Sequence, residues 1–165
     1  MTNDYIVMGV DPGNTTGVFV YFEDGFRDWA QLSREDIAPY LYTTFERWCA
    51  SFDPAVIHVG IERYIITQQT AKLSQQPDAL EVTGLVKGLA QVHGMVHVHQ
   101  HMKANLKYAQ DDMLRGVGWH QQGMRHANDA ARQAFATLKG VDYPAWSNMV
   151  SGAMMNSEDE GRTTV

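Results

Sequence analysis

Residues 5–32 carry three short apolar runs in quick succession, and no other feature constrains the fold as tightly. YIVMGV (5–10) and GVFVYF (17–22) are rich in β-branched and aromatic residues and too short to be helices, which predicts buried strands. Between them, Asp11-Pro12-Gly13 is turn chemistry: proline presets one backbone dihedral and glycine tolerates the next. Glu23-Asp24-Gly25 is a second turn, and FRDWAQL (26–32) follows as a third strand. Connections this short join antiparallel neighbours, because a parallel partner needs a long crossover. The chain therefore begins as an antiparallel meander.

The pattern then changes period. Ser33 and Asp36 have the spacing of a capping box, and Ile37, Tyr40, Leu41, Phe45 and Trp48 recur at helical intervals, which predicts a helix over 34–50. AVIHVGI (55–61) is a fourth strand and runs straight into Glu62. Residues 63–77 lack clear periodicity. Asp78 and Glu81 look like a second capping pair, opening a helix with Leu85, Leu89 and Val92 on one face and an end near Gly94. MVHVHQ (95–100) is a fifth strand. Residues 103–116 look helical up to the breaks at Gly116 and Gly118. A last helix runs from His126 to Lys139, with Ala127, Ala131, Ala134, Phe135 and Leu138 on its buried stripe. From 147 onward the apolar anchors are Met149, Met154 and Met155, so 1–146 is expected as the domain and 147–165 as a mobile acidic tail. Three meander strands followed by alternating helix and strand imply an α/β fold, a mixed five-stranded sheet flanked by helices.

At 165 residues the chain has room for one domain. A single cysteine, Cys49, excludes a disulfide framework and a cysteine-rich zinc site, and it suits a reducing cytosol. No signal peptide is expected at the N-terminus, and no apolar run approaches the roughly 20 residues that span a bilayer. The net charge of −6 argues at first against a nucleic-acid partner, but the charge is unevenly spread. Residues 1–62 hold 3 Lys/Arg against 10 Asp/Glu, residues 63–139 hold 9 against 5, and residues 140–165 hold 1 against 4. A basic middle between acidic ends permits an anionic ligand on one face.

The carboxylates carry the chemistry. Asp11 and Glu62 end the first and fourth strands. If these strands are parallel neighbours, both leave the sheet at the edge where open α/β sheets place their ligands. Asp129 lies near the start of the last helix, with His126 three residues before it on the same helix face. Each has an ordinary reading alone: a turn aspartate, a rim glutamate, an acid favouring a helix N-terminus. Together, converging carboxylates repel unless a divalent cation joins them. Oxygen-rich sites suit Mg²⁺ or Mn²⁺, and two ions about 3.5–4 Å apart can drive phosphodiester cleavage.

GVDPGNTTGV, VGIERYI and HANDAARQAFATL, in that order, resemble the motifs of the RuvC family of Holliday-junction resolvases in the RNase H-like superfamily, with most of the flavour of its bacteriophage-borne members. The family pattern is a strand ending in Asp-Pro-Gly with a following Thr-Gly, a strand ending in Ile-Glu, and a last helix opening with Asp or His three residues before Asp. The match spans roughly residues 4–140; each motif is weak alone and fairly specific in combination. The resemblance implies an RNase H-like sheet and a divalent-metal-dependent endonuclease for four-way junctions and other branched DNA. It puts Asp11, Glu62, His126 and Asp129 in the metal-site positions, with Mg²⁺ as cofactor, Mn²⁺ able to substitute, and about two ions per site. It implies products with a 5′-phosphate and a 3′-hydroxyl, a homodimer for symmetric cutting, and a cytoplasmic location, the host's if phage-encoded. The turn after Asp11 is one residue shorter than in the usual bacterial form, and imidazole at 126 is a softer ligand than carboxylate.

In the resemblance, the loop after Glu62 lies beside the junction crossover, which makes Tyr64 and Ile65 candidate wedges between bases. Lys72, Lys87, Lys103, Lys107, Arg125 and Arg132 are candidate phosphate contacts, with Lys103 and Lys107 first. His97, His99 and His101 alternate and so share a strand face; we expect rim or half-buried histidines there rather than zinc ligands. Two rival functions stand beside the nuclease. Asp-x-Gly-x-Thr after a first strand also occurs in actin-like and sugar-kinase nucleotide-binding domains, but those folds need two such domains. The other is a non-catalytic nucleic-acid-binding module of the same fold.

Overall fold

The computed structural model describes residues 5–51, 56–63 and 77–162. β1 (Tyr5–Asp11), β2 (Thr15–Phe22) and β3 (Arg27–Ser33) form the antiparallel meander that their turns dictate. Helix α1 (Arg34–Ser51), β4 (Val56–Glu62), α2 (Pro77–Val92) and β5 (Val96–His101) follow. A short 3₁₀ turn (Lys103–Leu106), α3 (Asp111–Gly116), α4 (Arg125–Val141) and α5 (Tyr143–Arg162) complete the order. The strands make one five-stranded sheet in the order β3-β2-β1-β4-β5, with β4 parallel to β1 and β5 parallel to β4. This is the mixed sheet expected.

Strand alternation sorts the core into two layers. Ile6, Met8 and Val10 of β1 pack with α1 and α2, whereas Tyr5 and Val7 pack on the opposite face with α3 and α4. Ser33 caps α1: the Asp36 N–H donates to Ser33 Oγ at 3.3 Å, and the Ser33 hydroxyl in turn donates to Asp36 Oδ2 at 2.6 Å.

Three glycines decide how α4 sits on the sheet. A Cβ at Gly17 of β2 would stand 1.9 Å from the His126 carbonyl oxygen, and one at Gly9 of β1 would stand 1.8 Å from that of Ala130. A Cβ at Gly60 of β4 would lie 2.2 Å from Thr137 Oγ1 and 2.6 Å from the Gln133 carbonyl oxygen. The helix backbone thus rests almost directly on the sheet, running across β2, β1 and β4. Its own contact face is small to match: Ala127, Ala130, Ala131 and Ala134 are fully buried. Close approach here is a packing requirement, since any side chain at these glycines would lift α4 away.

Several expectations need correction. Asp78, in the first turn of α2, and Glu81 also face α1, where Arg34 pairs with Asp78 at 2.8 Å and Glu81 at 2.5 Å. Val92 is 76% exposed, because the buried stripe of α2 passes through Val82 and Val86 and on to the half-buried His93. Residues 103–116 form the 3₁₀ turn and α3 rather than one helix. The segment from 147, expected as a mobile acidic tail, lies within α5, which runs to Arg162. Trp146, Met149 and Val150 pack against the α3–α4 layer, while Met154 and Met155 point outward. At Gly116 a Cβ would meet Ala153 Cβ at 2.7 Å, so two small residues let α5 dock on α3. The wedge candidates Tyr64 and Ile65, and Lys72, lie outside the described residues.

Candidate active site

Strand register lays one row straight across the sheet. Gln31 pairs with Gly17, Gly17 with Asp11, and Glu62 with His101. Val10 pairs with Ile61, so the next step along sets Asp11 beside Glu62. Side chains in one row share a face, and Gly17 marks it as the face that carries α4. The row therefore delivers Gln31, Asp11, Glu62 and His101 toward one helix.

The missing side chain of Gly17 lets the start of α4 come down onto the meander. There His126 Nδ1 is 3.0 Å from Asp11 Oδ2. The His126 backbone N–H, one of the unpaired donors of a helix start, donates to Gln31 Oε1 at 2.9 Å. Gln31 thus orients the helix end that carries His126; no local sequence signal marks it, only its place in the row. The turn after Asp11 is braced by buried Thr16, whose hydroxyl donates to the Gly13 carbonyl at 3.1 Å. At the far end of the row, His101 Nε2 lies 2.7 Å from Thr137 Oγ1 of α4.

Asp11, Glu62, His126 and Asp129 all line one cavity of about 1090 Å³. Lys103, Lys107 and Arg125, three of the candidates for phosphate contact, line the same cavity as the carboxylates. Lys87 does not line it and lies exposed on α2. Arg132 also lines the cavity. Its guanidinium is paired with Asp129 and Asp111, and its Nε donates to the Ala109 carbonyl at 2.9 Å.

The electrostatics of the cavity are those of crowded anions. Burial pushes the Asp11 carboxyl up to about 6. The hydrogen bond from His126 pulls the other way, and the negative charges of Asp129 and Glu62 push it up again. Three carboxylates and an imidazole suit a hard divalent cation in kind. They are not drawn together as a coordination shell: Asp129 is turned to Arg132, and among the described residues no three His, Cys, Asp or Glu side chains are grouped to hold a metal ion.

The alternating histidines have a partner that the sequence reading missed. His58 of β4 places Nδ1 2.9 Å from His99 Nε2, and its ring stacks on that of His97. Burial and the two neighbouring imidazoles lower the His58 pKa to about 4. His97 is exposed, while His58, His99 and His101 are half-buried.

The strand order, with helices covering both faces, defines an RNase H-like α/β fold. No family model matches the chain, and no curated protein matches it. Solved structures that resemble it include RuvC of T. thermophilus in complex with Holliday junction substrate. That likeness has 18% identity and a TM-score of 0.48, covering 84% of this chain and 96% of the other. The yeast mitochondrial Holliday junction resolvase Ydc2 is also similar, at 13% identity and a TM-score of 0.44, covering 93% and 81% of the two chains. Among the described residues no helix is long and apolar enough to cross a membrane.

Proposed function

We propose that this protein is a divalent-metal-dependent endonuclease that cuts branched DNA, four-way junctions foremost, by phosphodiester hydrolysis. One observation carries the reading: three carboxylates and a histidine line the same cavity as Lys103, Lys107 and Arg125. A site that only held DNA would have no use for half-buried anions beside its phosphate contacts, because they repel the ligand. Asp11, Glu62 and Asp129 supply oxygen ligands for Mg²⁺ or Mn²⁺. His126, held by Asp11, completes the set or moves a proton at its ring nitrogen. Lys103, Lys107 and Arg125 hold the phosphates on either side of the cut strand. The cations, when bound, acidify water and offset charge on the leaving oxygen.

Cutting both arms of a junction symmetrically needs two sites, hence a homodimer. Leu80, Gly84, Gly88 and Val92 support one, since they form an exposed i, i+4 stripe on α2, and among the described residues nothing lies within 4 Å of a Cβ at either glycine. Tyr64 and Ile65, just beyond Glu62, serve in this reading as the wedge at the crossover, with Lys72 on a phosphate.

The test is cleavage of a labelled four-way junction, beside linear duplex and a flap, in Mg²⁺, Mn²⁺ or EDTA. Paired nicks that need metal and vanish in Asp11→Asn are expected. Junction binding without cleavage of any substrate by folded wild type would leave a binding module as the better account.

A further inference from the structure

The cavity that holds the carboxylates has a neighbour. A second cavity, of about 520 Å³, shares Lys103, Arg125, Asp129 and Arg132 with it, so the two adjoin. Part of its own wall is the turn just before α4, through His120, Gln122 and Gly123. That turn is tied down. The Met124 N–H donates to the Gln121 carbonyl at 3.2 Å, and Gly123 takes the left-handed backbone, φ +79°, on the way into the helix. Buried Asn128 of α4 donates to the Gln121 carbonyl and accepts from the Gln121 N–H, both at 2.9 Å. Gln121 is thus pinned to the helix, and exposed Gln122 beside it stands at the wall of the cavity.

The charge of this second cavity has a definite sign. Two acids line it, Asp111 and Asp129, and Arg132 pairs with both. Asp111 also lies 3.9 Å from Arg115 and 4.0 Å from His120 Nε2. Among the described residues, neither Lys103 nor Arg125 forms an ion pair. Their uncompensated charge lies in the wall common to both cavities and draws an anion into either. We propose that the second cavity is a second phosphate subsite: it takes a phosphate of the nucleic-acid strand one step along from the phosphate held in the first cavity, with Lys103 and Arg125 between the two and the Gln122 amide donating to it. The inference rests on the strand that the nuclease reading lays across the first cavity. A phosphodiester offers only acceptors, and cations with an amide N–H on a fixed turn are the donors it needs. Asn128 and Asp129 are consecutive on α4, so the turn and the carboxylates keep a fixed spacing. A phosphate held at the turn therefore sets which bond of the strand lies over the carboxylates.

The measurement is affinity of the full chain for a labelled four-way junction, from fluorescence anisotropy in EDTA at several salt concentrations. Wild type is compared with Gln122→Lys and Gln122→Glu, and with the same two changes at Gln91. Gln91 is exposed near the end of α2, lines neither cavity, and stands about 18 Å along the helix from Ala79 at the first cavity, beyond the reach of a screened charge. Gln122→Lys is expected to tighten binding about 3- to 10-fold and to steepen the slope of log affinity against log salt by about 1. Gln122→Glu is expected to weaken binding and flatten the slope by the same amounts. Opposite shifts from one exposed position have no source in a shared loss of folding. The Gln91 variants should follow wild type. If the Gln122 pair leaves affinity and slope at wild-type values, or if the Gln91 pair shifts them equally, the proposal is overturned. Failure of the nuclease reading has a different signature, because binding is read without cleavage. A wild type that binds the junction but cuts nothing in Mg²⁺ or Mn²⁺ loses the nuclease reading and keeps the subsite, and one that binds no junction loses both.

Discussion

Asp11→Asn should make this protein more stable while abolishing its activity. Asp11 releases its proton at about 6 in the folded chain, against an ordinary value of 3.8. Burial is the main cause, with the charges of Asp129 and Glu62 adding to it against the hydrogen bond from His126. The side chain is only 21% exposed, so little of that charge reaches water. Between pH 4 and 6 the native state keeps a proton that the unfolded chain has lost. Stability therefore falls as pH rises through this window and stays low above it. At about 1.4 kcal/mol per pH unit, the loss is about 3 kcal/mol. Asparagine keeps the shape and a polar contact for His126 but carries no charge. In EDTA at pH 8 the variant should be about 1–3 kcal/mol more stable, and the gap should close toward pH 4. Each kcal/mol corresponds to about 2–4 °C in Tm for a chain of this size. Urea unfolding of both proteins at pH 4, 5, 6 and 8 measures this directly. Parallel curves, or a variant less stable at pH 8, would refute the idea that Asp11 is held as a destabilising charge. Mn²⁺ should then stabilise wild type and leave the variant unmoved.

Other consequences follow from the same geometry. Gly9→Ala drives a Cβ to 1.8 Å from the Ala130 carbonyl oxygen, so it should cost about 3 kcal/mol or more and disable the site by lifting α4; denaturant melts and cleavage assays report both. Lys103→Ala and Lys107→Ala should each weaken junction binding and lower the slope of log affinity against log salt by about 1, as expected for one lost phosphate contact. Ser33→Ala should cost about 1 kcal/mol through loss of the α1 cap, with cleavage unchanged. Gly88→Glu places a charge in the exposed α2 stripe and should yield a monomer in sedimentation, with single nicks replacing paired ones.

Much of this architecture is written locally. Pro-Gly and Asp-Gly turns between β-branched runs oblige a meander whatever surrounds them, and the step from period two to period 3.6 after Ser33 announces α1. The acids ending β1 and β4, and the His126–Asp129 spacing, are equally local, which is why the residues lining the cavity could be named from the chain alone. Their assembly is not local. Register between strands distant in sequence puts Gln31 and His101 in the same row as Asp11, and nothing near either residue records it. The seating of α5 is not local either: a helix with few apolar residues is held by what it packs on, here through the small pair Gly116 and Ala153. The partners of Arg132 are not local either, since Asp111 lies 21 residues away in the chain and pairs with it only once α3 folds beside α4. The sequence by itself determined the five strands, α1 and the acids and histidine that line the cavity, since these depend on short-range sterics, turn chemistry and side-chain type. Only the tertiary structure decided that three glycines seat α4 on the sheet and that Asp129 is held by Arg132, because both depend on which distant backbones come within contact of each other.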